Sequence, residues 1–239
     1  MERDKASTAR RLMLFFIPMI QGVFKSPSRI RLAPVCFSIS LIQMHIFLGL
    51  IVSLFPVFCM AGKAEPPPKY SQELQQQADS GDADAQFHVG DCYFFGLGIP
   101  KDQRKGVNWY RKAAEAGQMQ AQFNLGGCLH EGLGIEPNLM EAIQWWRRSA
   151  GQDYAPAQIS IGDCYIFGKG LPQDEEEGVR WFRKAAMQNY PAAQHRLGNC
   201  YFNGQGVRSD VVQAIQWYRK AADQGYQPSI RALQKLEKE

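Results

Sequence analysis

The feature that most constrains the fold of this chain is a period of 36 residues. From residue 83 to residue 226 the sequence can be written as four rows without gaps, 83–118, 119–154, 155–190 and 191–226. The segment FGLGIPKD, which begins at Phe95, returns in them as EGLGIEPN, FGKGLPQD and NGQGVRSD. A fixed period of this length predicts an array of stacked units, each of which buries its apolar face against its neighbours.

Each row predicts two helices joined by a tight turn. In the first row Ala85, Val89 and Cys92 share one stripe at helical spacing. Gly96 can adopt the left-handed conformation that ends a helix. The second helix of each row begins after a good N-cap residue, which is Asp102, Asn138, Asp174 or Asp210. The residue three places after the N-cap is acidic or an amide in the last three rows, which predicts a capping box there. These residues are Glu141, Glu177 and Gln213. The second helices end at Gly117, Asp153, Asn189 and Gly225.

The glycine pair does not predict a phosphate-binding loop. A dinucleotide fingerprint needs a preceding strand and a third glycine. Here a helix precedes the pair, and Pro100, Pro137, Pro172 and Asp210 stand near the place of the third glycine. The turn is therefore interpreted as a hairpin between helices.

The repeat resembles the Sel-1-like repeat. The fourth row matches that pattern most closely, at Leu197, Gly198, Tyr201, Gly204, Gly206, Val207, Asp210, Ala214, Trp217, Tyr218, Lys220, Ala221, Ala222 and Gly225. The resemblance implies a helical solenoid similar to tetratricopeptide arrays, which usually serves as a protein-binding scaffold. The expected fold class is an all-α, right-handed α-solenoid of four 36-residue helix-turn-helix repeats, with a linker and cap helix at 65–82 and a closing cap helix at 227–239.

Residues 1–64 predict an export leader. Arg29 and Arg31 precede an apolar run over residues 32–60, and small residues follow, so cleavage after Ala61 or Ala64 is expected. The run is also long enough to stay as a membrane anchor, and a buried helix of a cytosolic protein is a further alternative. The basic flank predicts that the rest of the chain lies outside the cytoplasm, either periplasmic or secreted.

The charge of the chain argues against nucleic acid as a partner. The leader carries eight of the 27 Lys and Arg residues and two of the 23 Asp and Glu residues, so the remainder has a slight acidic excess. A nucleic-acid binder usually needs a basic excess to neutralise phosphates. The expected partner is a protein or peptide, with membrane contact only through an uncleaved leader, and the protein is expected to be a monomer.

One cysteine recurs in every row. Equivalent positions on packed helices lie about 9–10 Å apart, whereas a disulfide needs Cα atoms roughly 4.4–6.8 Å apart. This spacing predicts free, buried thiols and disfavours a ladder of metal ligands. The residues are Cys92, Cys128, Cys164 and Cys200.

An enzyme acting on β-lactam or cell-wall substrates is the alternative function. Some exported proteins that resemble the Sel-1-like family carry a disulfide in each repeat and have been linked to penicillin binding or hydrolysis. This chain has one cysteine per repeat and contains no S-x-x-K or H-E-x-x-H motif. We therefore expect no catalytic residue, metal or cofactor.

Two further columns repeat on the second helices. Trp109, Trp145, Trp181 and Trp217 are interpreted as core between repeats rather than as an aromatic ligand ladder. The basic pairs Arg111–Lys112, Arg147–Arg148, Arg183–Lys184 and Arg219–Lys220 are interpreted as a solvated face rather than as an anion site.

The predicted binding surface lies on the first helices. Positions 88, 91 and 95 of the first row point away from the buried stripe, and in tetratricopeptide-like stacking that side lines the inner curve. Residues at these positions vary between rows while the buried ones repeat. The predicted contacts are His88, Asp91, Phe95, Asn124, Glu131, Ser160, Asp163, Phe167, Arg196, Asn199 and Asn203, with Phe95 and Phe167 as anchors.

Overall fold

The computed structural model describes residues 68–237, and within that range the chain forms ten α-helices and no strand. They are α1 (Gln72–Asp79), α2 (Ala83–Phe95), α3 (Gln103–Glu115), α4 (Met119–Glu131), α5 (Leu139–Gly151), α6 (Ala155–Phe167), α7 (Glu175–Met187), α8 (Pro191–Asn203), α9 (Val211–Ala222) and α10 (Gln227–Leu236). The predicted all-α repeat fold is confirmed. The predicted leader lies outside the described residues.

The helices alternate in two roles. We call α2, α4, α6 and α8 the A helices and α3, α5, α7 and α9 the B helices. Each A helix packs against the B helix of its own repeat, and each B helix packs against the next A helix. The flanking helices α1 and α10 pack against α2 and α9 respectively. Every repeat therefore depends on its neighbours for burial.

The two glycines of the turn have different tasks. Gly96 follows α2 with φ 79° and ψ 40°, and its N–H donates to the Cys92 carbonyl oxygen over 2.9 Å, which ends the helix. The second glycine of the next repeat, Gly134, has φ 72°. A Cβ atom there would lie 2.7 Å from the carbonyl carbon of Gln103. The second glycine therefore lets the turn touch the start of the preceding B helix.

The B helices begin at the predicted N-caps, but the predicted capping boxes are wrong. In the second repeat, the Asn138 side chain accepts a hydrogen bond from the Glu141 N–H over 3.1 Å. The return bond is missing because the Asn138 N–H already donates to the Leu129 carbonyl oxygen over 2.7 Å. The Glu141 carboxylate is thus free to accept from Arg111 Nη1 of the previous repeat over 2.7 Å.

A glycine and an aromatic ring define each crossing of an A helix with its B helix. Tyr110 is 1% exposed and lies across Gly90, where a Cβ atom would be 2.6 Å from the ring. The same contact repeats at Gly126 with Trp146, Gly162 with Phe182, and Gly198 with Tyr218. Because burial of a large apolar side chain contributes about 1.5–3 kcal/mol, these four crossings are a main source of stability.

A buried glutamine links successive repeats. Gln122 Nε2 donates to the Ala114 carbonyl oxygen over 3.1 Å, and its Oε1 accepts from Gln152 Nε2 over 2.8 Å. The same bond joins Gln188 to Gln158 over 2.8 Å and Gln224 to Gln194 over 2.9 Å. In the first repeat Gln86 Oε1 is buried without a partner. Ala116 stands there where the other repeats have the donating glutamine.

Candidate functional site

The predicted contacts form three columns on the A helices, which we call together the A-face. The first column contains His88, Asn124, Ser160 and Arg196; the second contains Asp91, Gly127, Asp163 and Asn199; the third contains Phe95, Glu131, Phe167 and Asn203. The columns differ in how far their side chains are available to a partner.

The second column is turned towards the B helices, contrary to its predicted exposure. Asp91 is only 8% exposed, and its Oδ1 accepts a hydrogen bond from the Tyr110 hydroxyl over 2.6 Å. Asn199 Oδ1 accepts in the same way from the Tyr218 hydroxyl over 2.7 Å. These tyrosines belong to the aromatic column of the B helices. Position 91 is therefore buried by a hydroxyl that reaches it across the crossing.

In the third repeat, the residue equivalent to Asp91 makes different contacts. Its B-helix ring is Phe182, which has no hydroxyl, and Asp163 Oδ1 is buried without a partner. Asp163 Oδ2 instead accepts from Arg196 Nη2 of the next repeat over 3.1 Å. The structure thus brings two predicted site residues together, across the boundary between the third and fourth repeats. Burial raises the pKa of Asp163, and Arg196 opposes that rise.

The side chains of the first column are half-buried, and two of them contact groups of their own helix or of the neighbouring B helix. Ser160 Oγ donates to the Pro156 carbonyl oxygen over 3.3 Å. The Asn124 side chain lies beside the Tyr110 hydroxyl. His88 Nδ1 is buried without a hydrogen-bond partner, and burial lowers the pKa of this histidine, so its ring is neutral near pH 7.

The third column presents the exposed apolar surface of the A-face. Phe95 and Phe167 are each 54% exposed, although they stand at the end of otherwise well-packed helices. The Lys169 ammonium lies 5.6 Å from the centroid of the Phe167 ring. Glu131 is exposed and forms a 2.8 Å contact with His130 Nδ1. The two phenylalanines are the residues of the column best suited to anchor a partner.

The tryptophan column lies at the edge of the core rather than at its centre. Trp145 is 7% exposed, while Trp109, Trp181 and Trp217 are half-buried and pack against the core. The deepest position belongs to the residue after each tryptophan, as the burial of Tyr110 shows. The prediction is therefore confirmed in part: the tryptophans of this column pack against the core, but only Trp145 is itself buried.

The basic pairs of the B helices are engaged within the array. The second cation of each pair lies over the tryptophan of its own helix, at 3.8 Å for Lys112 over Trp109. The others are Arg148 over Trp145, Lys184 over Trp181 and Lys220 over Trp217. Because their own cations cover these rings, the tryptophans do not form an open ladder for a ligand.

The four cysteines of the repeats are free and buried. Burial raises the thiol pKa of Cys92 and Cys164 to about 11 and that of Cys128 and Cys200 to about 12. Residues 68–237 contain no group of three His, Cys, Asp or Glu side chains placed to hold a metal ion. In the same part of the chain, no helix combines the length and apolar character needed to span a bilayer.

Known proteins and structures share this repeat. The sequence model of the Sel1 repeat matches residues 83–118, 120–154, 155–190 and 191–226. A protective antigen present in uropathogenic Escherichia coli strains, c5321, which displays an SLR fold, is 38% identical with a TM-score of 0.65 over 68% of this chain. A Sel1 repeat protein from Oxalobacter formigenes is 34% identical with the same TM-score over 68% of this chain.

The matched regions are 35% of the first of those proteins and 64% of the second, so this chain spans only part of their lengths. No curated protein matches the chain. The four matches to the repeat model cover more than half of the sequence and coincide with the four pairs of A and B helices. The protein therefore belongs to the Sel1 repeat family.

Proposed function

We propose that this protein is a non-catalytic scaffold that binds a protein or peptide partner along the A-face, outside the cytoplasm. Sel1 repeat proteins generally mediate protein–protein interactions, and the family is generally non-catalytic. The observation that carries the proposal is the pair Phe95 and Phe167, which occupy one column and are each 54% exposed. Exposed aromatic side chains in register are suited to anchor an extended peptide or a helix.

A second exposed apolar pair provides a matched control. Met140 and Val212 share a column at the start of the B helices and are 58% and 65% exposed. This pair lies on the B helices rather than on the A helices, and its side chains are aliphatic rather than aromatic.

The test is affinity capture followed by paired substitution. The tagged protein is crosslinked in cells, and the captured partner is then bound to purified variants. We expect Phe95→Ala with Phe167→Ala to weaken binding at least about tenfold, and Met140→Ala with Val212→Ala to leave it unchanged. The reverse result would place the interface on the B helices. Failure to capture any partner would favour a structural spacer.

The proposed location rests on the basic flank and apolar run of residues 1–64. We expect N-terminal analysis of the native protein to find a chain that starts near Gly62 or Glu65. A membrane-bound chain that retains the leader would support the anchor alternative. An intact Met1 on a soluble cytoplasmic protein would contradict export.

An enzyme acting on β-lactam or cell-wall substrates gains no support from the described residues. The free state of the four repeat cysteines differs from a disulfide in each repeat. Nitrocefin turnover and cosedimentation with cell wall are direct assays of this alternative. We expect neither from the purified protein.

A further inference from the structure

The A-face carries one buried negative charge that has no cation beside it. Asp91 is 8% exposed, and Tyr110 donates to its Oδ1 over 2.6 Å. Its Oδ2 has no hydrogen-bond partner among the described residues, and this oxygen keeps some contact with solvent. A charged carboxylate at such depth is unfavourable unless a positive charge compensates it.

The protein itself shows how that compensation is made. Asp163 is the counterpart of Asp91 two repeats later, and its Oδ2 accepts from Arg196 Nη2 over 3.1 Å. Asn124 occupies, relative to Asp91, the position that Arg196 occupies relative to Asp163. Because asparagine is neutral, the first repeat lacks the guanidinium that the third repeat receives from the fourth.

The other two repeats have no charge to compensate. Gly127 stands at this position in the second repeat. Asn199 stands there in the fourth repeat, and its amide oxygen accepts from the Tyr218 hydroxyl over 2.7 Å. Asp91 is thus the one member of its column whose negative charge meets only a neutral hydroxyl.

We propose that Asp91 receives an arginine side chain from the bound partner, with its guanidinium placed as that of Arg196 is placed at Asp163. This inference rests on the proposed function and names the chemistry of the partner. His88 and Phe95 stand one turn before and one turn after Asp91 on α2. His88 Nδ1 is buried without a partner, and Phe95 is 54% exposed. The site therefore suits an arginine with an apolar residue beside it.

Among the titratable groups around Asp91, Asp91 is the one whose charge changes near neutral pH. Burial raises the pKa of Asp91 to about 6. The Tyr110 hydroxyl donates to this carboxyl, and the Tyr154 hydroxyl and the Cys92 thiol are near enough for its charge to act on them. Burial raises the pKa of all three groups, so all three are neutral. Burial lowers the pKa of His88, which keeps that ring uncharged at pH 7.

The test uses the purified full-length chain in a non-ionic detergent, with the aspartate side-chain carbons labelled for NMR. N-acetyl-argininamide is the probe, and N-acetyl-citrullinamide is its neutral match. We expect the arginine probe to shift the Asp91 resonance and to leave that of Asp163 unchanged. Because only about a tenth of a carboxyl with a pKa of about 6 is ionised at pH 5, the affinity should be about tenfold lower there than at pH 8.

Two substitutions exchange the two sites. Asn124→Arg should supply the missing guanidinium from within, abolish the response of Asp91 to the probe, and lower the pKa of Asp91. Arg196→Met should expose Asp163 and create a second responding resonance. Asp91→Asn, which has no resonance of its own in this experiment, should weaken binding of the captured partner while keeping the bond from Tyr110, as Asn199 does with Tyr218.

Three results would overturn the inference. They are an equal response to the citrulline probe, an unchanged response in the Asn124→Arg variant, and a larger response to N-acetyl-lysinamide than to the arginine probe. The captured partner separates this inference from the proposed function. If Asp91→Asn leaves capture intact while the phenylalanine pair abolishes it, the A-face stands and the arginine site fails. If the probe binds at Asp91 but the phenylalanine pair leaves capture intact, the arginine site stands and the A-face anchor fails.

Discussion

Replacement of Ala116 by glutamine should stabilise the protein. In the second repeat, Gln152 Nε2 donates to Gln122 Oε1 over 2.8 Å and to the Gly117 carbonyl oxygen over 3.0 Å. Ala116 stands at the equivalent place in the first repeat, and Gln86 Oε1 beside it is buried without a partner. Ala116 is exposed, and its backbone φ of −74° is close to the −77° of Gln188. A glutamine therefore fits there without strain.

The size of the effect follows from three contributions. A buried polar atom without a partner costs about 1–3 kcal/mol, and a new hydrogen bond contributes about 0.5–1.5 kcal/mol net. Ordering a glutamine side chain costs up to about 2 kcal/mol. The expected gain is therefore about 1 kcal/mol, or roughly 2–4 °C in Tm for a protein of this size.

Urea unfolding of Ala116→Gln in two backgrounds isolates the bond. In the wild-type background the free energy of unfolding should rise by about 1 kcal/mol. In a Gln86→Leu background it should not rise, because the acceptor is gone. The reverse change, Gln152→Ala, should lower the free energy of unfolding by about 1 kcal/mol. An equal gain in both backgrounds would show that the stabilisation does not come from a hydrogen bond to Gln86.

Three further predictions test the packing, the histidine and the thiols. Gly126→Ala places a methyl group against the Trp146 indole and should destabilise by about 1–3 kcal/mol, whereas Gly127→Ala has open space and should be neutral or stabilising in thermal unfolding. Burial lowers the pKa of His195 from 6.5 to about 4, so the unfolded chain binds the proton more readily. The contribution of His195 to stability should thus be full above about pH 6.5, fall as the pH drops from there to about 4, and stay constant below. His195→Phe should flatten this urea-unfolding profile. The four buried thiols are Cys92, Cys128, Cys164 and Cys200. Iodoacetamide at pH 8 should leave them unmodified in the native protein and should modify all four in denaturant without reductant, as peptide mass analysis can show. A disulfide between any two of them would contradict their free state.

The sequence is sufficient to predict the helices because their ends are local. The glycine pair, the N-cap at Asp102 and the left-handed residue at Gly117 each act through neighbouring residues, and the structure places helix ends at all three. The capping boxes fail because the N-cap N–H donates to the preceding A helix, as Asn138 does to Leu129. Such a bond depends on the path of the turn, which local spacing does not determine.

The candidate site is harder to predict because contacts between helices decide it. Helical geometry places position 91 on the outer side of α2, but the Tyr110 hydroxyl covers Asp91 from the B helix. The pairing of Asp163 with Arg196 depends on the stacking of two repeats. The buried glutamines that link the repeats had a visible signal in the sequence, since the same position holds Gln86, Gln122, Gln158 and Gln194. A polar residue repeated in phase with core alanines indicates a buried hydrogen bond.

The central claim is that a partner binds on the A-face, and site-specific photocrosslinking tests it most directly. A benzophenone amino acid is placed at Phe95 or Phe167 in one set of variants and at Met140 or Val212 in the matched set, all four positions being exposed. We expect the first set to form a crosslink to the same partner in cells and the second set to form none. Crosslinks only from the second set, or equal crosslinks from both sets, would contradict binding at the A-face.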